Sequence, residues 1–131
     1  MKLHTLRLFP GSDLKHSLDL FVVENNIDAA AIITCVGSLT IAAIRFAGKD
    51  LIDTIPGPLE ILSLVGTFSR SGSHFHISVA DNEGKCTGGH LKEGSIIRTT
   101  AEIVIIEAED VIYLREEDPV TGFKELKIKN K

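Results

Sequence analysis

Helical periodicity occurs in one stretch of this chain, and β-strand patterning in almost everything after it. That ordering limits the fold more than any other feature. Leu14, Leu18, Phe21 and Val22 fall at spacings of four, three and one, which gathers their side chains on one side of a helix over residues 12–25. Pro10-Gly11 stops the alternating first strand over residues 2–9. Ser12 is placed to cap the helix, Asp13 suits its positive first turn, and Asn25-Asn26 ends it.

Beyond Asp28 the runs are short and apolar, with turn residues between them. Residues 29–36 form a buried run, Gly37-Ser38 punctuates it, and residues 39–46 continue as a further strand. Residues 47–53 read as a turn with a short edge strand, 56–58 as a Pro-Gly-Pro loop, 59–68 as a strand, and 69–73 as a polar turn. Residues 74–80 form a short strand before the Asp81-Asn82-Glu83-Gly84 turn, and Gly88-Gly89 is a second breaker. Residues 96–107 are β-branched, and residues 111–115 and 123–128 flank a turn at 118–122. A second short helix is expected near residues 92–98. The predicted fold is one α/β (α+β) domain over residues 1–131. Its sheet is mainly antiparallel and twisted, with one N-terminal helix and that second short one.

Charge and hydropathy narrow the function. The formal net charge is −4, and no block of Lys and Arg occurs apart from Lys124, Lys127, Lys129 and Lys131, which read as a solvated tail. A duplex-binding surface needs a basic stripe to displace counterions, so DNA is a disfavoured partner. Mean hydropathy is +0.17, on the apolar side for so short a chain. A small domain has too little interior to hide that surplus, which points to a subunit interface. Cys35 lies in an apolar run and Cys86 in a Gly-rich turn, so they do not read as a disulfide framework. The longest apolar run falls short of the ~18 residues of a membrane helix, and the first residues alternate as a strand rather than a leader. No membrane partner and a cytoplasmic location are expected.

Chemistry concentrates in the histidines. His74 and His76 are two apart on a predicted strand and leave the same face, with Ser78 beside them. Phe75, Ile77 and Val79 point the other way, toward a core. The turn at 81–84 returns the chain, and Gly88-Gly89 lets the backbone carrying His90 come close. Three neutral imidazoles with an open position describe a zinc-type site. A polar strand face can also hold two histidines by chance, so both readings stand at this point. His4 and His16 are isolated and read as surface or satisfied core residues. Glu60 sits inside the apolar run 59–65, where it can orient a histidine or serve as a catalytic general base, or simply be exposed beside Pro58. Arg7 and Arg98 are candidate anion partners. No phosphate-binding glycine motif, nucleophile elbow or zinc-finger cysteine pair is present.

Several of these segments together resemble the plant-and-prokaryote conserved (PPC) domain family, found alone in prokaryotes and beside AT-hooks in plant nuclear proteins. Leu6-Arg7-Leu8-Phe9-Pro10-Gly11-Ser12-Asp13-Leu14 is similar to its opening strand, turn and helix. The segment 58–69, with Glu60-Ile61-Leu62 at its centre, is similar to its central strand, although Pro58-Leu59 stands where plant members carry Arg-Phe. His74-Phe75-His76, Gly88-Gly89-His90-Leu91 and Asp118-Pro119-Val120-Thr121-Gly122-Phe123 are similar to its histidine segment, its Gly-Gly-His turn and its closing hairpin. The resemblance implies a homotrimer and a zinc site on His74, His76 and His90. Plant relatives bind DNA through an Arg-Gly-Arg-Pro hook that this sequence lacks. Three functions follow: a trimeric metal- or small-molecule-binding module with a regulatory role, a metal-dependent enzyme with Glu60 as base, or a DNA-binding protein.

Overall fold

In the computed structural model, which describes residues 1–131, the chain runs β1 (Lys2–Leu8), α1 (Leu14–Glu24), β2 (Ala30–Arg45), β3 (Asp53–Ser69), β4 (Gly72–Ala80), β5 (Cys86–Leu91), β6 (Ile96–Glu107), β7 (Val111–Glu117) and β8 (Lys124–Asn130). Strands β1 to β6 form one antiparallel sheet in the order β1-β6-β2-β3-β4-β5, and β7 pairs with β8 in a separate hairpin. The far edge is not open. Ile44 and Arg45 at the end of β2 pair with Leu91 and His90 of β5, so β2, β3, β4 and β5 close on themselves. The 16-residue length of β2 is what lets one strand reach β6, β3 and β5.

The helix supplies one wall of the core. Leu14, Leu18 and Val22 are fully buried at successive fourth positions. They join Ile61, Leu64, Phe68, Phe75, Ile103 and Ile105 in one apolar cluster. The rings of Phe68 and Phe75 pack with centroids 5.0 Å apart. Cys35 belongs to the same cluster, and burial pushes its thiol up to about 11, which makes it inert. No helix is long and apolar enough to cross a membrane.

Asp13 rather than Ser12 caps the helix. Its Oδ1 accepts the His16 backbone N–H at 3.0 Å, and its Oδ2 accepts that of Gly94 at 2.6 Å. One carboxylate thus closes α1 and ties it to the β5–β6 turn. Asp13→Ala is expected to cost about 1–2 kcal/mol. The loss would be seen as a lower urea midpoint with an unchanged slope.

Three local expectations are corrected. Residues 92–98 form no helix. Gly94 has φ +101, and the buried Ser95 hydroxyl bonds the carbonyls of Lys92 and Ala43, which sends the chain directly into β6. Gly37 does not break its strand. A Cβ there would stand 2.1 Å from the Thr100 carbonyl oxygen, so glycine permits the close approach of β2 and β6. Pro56 and Pro58 lie inside β3 rather than in a loop, where the register against β2 shifts between Leu39 and Ile41. A bulge of this kind accommodates residues that cannot donate to the ladder.

Candidate metal centre

Strand alternation sets the first two candidate ligands. Phe75, Ile77 and Val79 of β4 are buried, and His74 and His76 face outward between them. The third comes from β5, where His90 pairs directly with His76 on one side and with Arg45 of β2 on the other. Arg45, His90, His76 and Val65 therefore form a row across four strands on one face. Glycine makes the row possible. A Cβ on Gly88 would lie 2.5 Å from the Ile77 carbonyl oxygen, and one on Gly89 would lie 2.8 Å from that of Arg45.

The imidazoles converge. Ring centroids lie 4.9 Å apart for His74 and His76, 4.6 Å for His76 and His90, and 5.1 Å for His74 and His90. His74 Nε2 stands 3.2 Å from His90 Nδ1, and the three ligand nitrogens lie within 4.8 Å of one another. Two nitrogens on one tetrahedral zinc, with bonds of about 2.0–2.1 Å, sit about 3.3 Å apart. The donor set fits a metal ion, with short side-chain rotations bringing the third nitrogen in. A donor set made only of imidazole nitrogens suits zinc and its first-row neighbours rather than calcium or magnesium.

The surroundings of His74 and His90 favour the uncharged ring. Desolvation lowers the His74 pKa below the ordinary histidine value, and His76, Arg115 and Arg45 push it the same way against an opposing Glu125. Desolvation likewise lowers His90, helped by Arg45, His76, His74 and Lys92. Neutral imidazole is the form that binds metal.

A cavity of about 600 Å³ opens beside His74 and His90. Its far wall is the β7–β8 hairpin, held in place by hydrogen bonds from the Ser69 hydroxyl to the Tyr113 carbonyl at 2.7 Å and from the Arg115 N–H to the Ser71 hydroxyl at 2.9 Å. The Arg115 guanidinium then donates to both the carbonyl and the hydroxyl of Thr67, the residue paired with His74.

Other candidates lie elsewhere. His4 is satisfied by Glu107 at 2.8 Å and packs edge-on against Phe21, while His16 is exposed. Glu60 is exposed and sits opposite Ser38 and Ala80. Val65, opposite His76, is five residues further along β3, or about 16 Å at strand rise. The expected contact between Glu60 and a histidine is not made. Arg7 bonds the Thr100 hydroxyl and covers the Phe9 ring, and Arg98 is exposed on β6. The arginines at the site are instead Arg45 and Arg115. Sequence reasoning missed both, because only the β2–β5 closure and the docking of the hairpin bring them there.

Fold and site together define a small α+β domain with a three-histidine centre able to hold a metal ion. Residues 1–109 match the model of the Plants and Prokaryotes Conserved domain, and the chain belongs to that family. A protein of Synechococcus sp. strain JA-2-3B'a(2-13) named bifunctional protein GlmU is 41% identical over 128 residues, which is 98% of this chain and 20% of that protein. A namesake from strain JA-3-3Ab is 40% identical, with 21% of its length matched. The chain thus spans about one fifth of the curated relatives it matches. A hypothetical protein from Salmonella enterica superposes with TM-score 0.97 at 38% identity, covering 99% of this chain and 94% of that one. A metal-containing protein from Archaeoglobus fulgidus superposes with TM-score 0.81 at 27% identity, covering 97% and 94%.

Proposed function

We propose that residues 1–131 act as one domain, a cytoplasmic homotrimer that binds zinc through His74, His76 and His90 in a binding or regulatory role. The observation that carries this reading is the convergence of three imidazoles, two of them with pKa lowered by burial and neighbouring positive charge, on one edge of the closed sheet. The metal-containing Archaeoglobus relative supports it. Zinc held by these three residues would supply a Lewis acid. Self-assembly draws support from Val36, Leu62 and Val65, apolar side chains more than half exposed on β2 and β3. The enzymatic alternative with Glu60 as base gains nothing from Glu60's position, and the formal net charge of −4 weighs against autonomous DNA binding.

The test uses protein purified without a polyhistidine tag. Elemental analysis and zinc titration are expected to give one chelator-removable ion per chain, and light scattering a mass three times 14.2 kDa. Protein that takes up no zinc would overturn the metal reading, and a monomer at micromolar concentration would overturn the trimer.

A further inference from the structure

The cavity beside His74 and His90 has a charge opposite to that of the chain. It is lined by Arg45, Lys49, Lys92, Arg115 and Lys124 against only Asp50 and Glu125, five cations to two carboxylates, on a protein whose formal net charge is −4. Ion pairing does not explain the cluster. Lys49 reaches Asp53 at 3.5 Å, and Arg45, Lys92, Arg115 and Lys124 make no salt bridge to a carboxylate. Two of the cations are also fixed in place. Arg45 donates to the Lys49 carbonyl at 3.0 Å, and Arg115 donates to Thr67 at 2.7 and 3.0 Å. Gathering cations from β2, the β5–β6 turn, β7 and β8 at one place is unfavourable unless something negative sits among them.

We propose that this cavity binds a small organic or inorganic anion, its carboxylate or phosphate oxygens set between Arg45 and Arg115 and its remainder facing His74 and His90. The inference deepens the metal-site reading by naming the ligand class. A volume of about 600 Å³ suits a compact metabolite. Ala47 and Phe123 are the hydrophobic residues of a lining that is otherwise largely charged and polar, so the ligand is polar rather than lipid-like. Guanidinium forks match both carboxylate and phosphate geometry.

The experiment is calorimetric titration of malonate and of inorganic phosphate, each into chelator-treated protein and into zinc-loaded protein. At least one of the two anions is expected to bind the metal-free wild type, more weakly as salt rises. The tighter of the two names the source of the charge. Arg45→Gln and Lys92→Gln, each keeping the rest of the pocket, are expected to weaken binding about tenfold or more, an electrostatic loss of about 1.4 kcal/mol. Lys127→Gln, on β8 and paired to Glu116, is expected to change nothing. His76 does not line this cavity, so His76→Ala should strongly weaken zinc binding and leave metal-free anion binding intact. Failure of the metal reading therefore leaves this result standing. Absence of binding for both anions, or equal binding by wild type, Arg45→Gln and Lys92→Gln, would overturn the proposal.

Discussion

Replacing His76 with alanine is expected to lower zinc affinity by about 100-fold or more, since loss of even an outer hydrogen-bond partner of a ligand costs 10- to 100-fold. The fold should survive. His76 is exposed, its backbone pairing with Val65 and His90 does not depend on its side chain, and the core is made by Phe75 and Ile77 on the opposite face. Unfolding free energy without metal should stay within about 0.5 kcal/mol of wild type. His16→Ala is the matched control, because His16 lies on the exposed side of α1 with its nearest carboxylate 3.9 Å away. It should leave zinc affinity unchanged. Zinc competition titrations on the three proteins decide the matter. Equal affinities would mean that the histidine face is only a polar strand surface.

The histidine centre was legible in the sequence because it is built from local signals. His74 and His76 share a face by strand alternation alone, and the 81–84 turn with Gly88-Gly89 identifies a hairpin that returns His90 to them. The helix was legible for the same reason, with its apolar spacing and Pro-Gly stop both inside a few residues. What was not legible depends on contacts between distant segments. Gly37 and Pro56 look like breaks when read along the chain, and only the presence of β6 and the β2–β3 register shift shows them to be sites of close packing and bulging. Arg45 and Arg115 have no local pattern. They reach the site through a strand pairing and a hairpin docking that join residues 45 and 44 positions apart. Glu60 attracted attention as a carboxylate in an apolar run, yet its strand carries it toward the opposite end from the histidines, where solvent satisfies it.

Zinc affinity is expected to be level above about pH 7 and to fall below the ordinary histidine range near ~6.5, with the break displaced to lower pH. Burial is the first cause of the displacement. For His74 the neighbouring His76, Arg115 and Arg45 add to it, and for His90 Arg45 does so ahead of His76 and His74. Each imidazole that does carry a proton must release it before binding, which costs about tenfold in affinity per pH unit per proton below its pKa. Competition at more than one ligand makes the decline steep once it begins. Metal-free stability follows the same sign. The unfolded chain takes up protons at these histidines near ~6.5, before the native protein does, so the unfolded state binds more protons in the interval below. Stability therefore decreases as pH falls through the window between ~6.5 and the lowered native values, and levels off beneath them. Arg45→Gln removes a positive neighbour of both rings and is expected to move the affinity break upward toward the ordinary value. Zinc titrations of wild type and Arg45→Gln between about pH 5 and pH 8 span the range in which histidine changes charge. A pH-independent affinity, or a break that moves down in Arg45→Gln, would show that proton competition at the histidines does not govern the site.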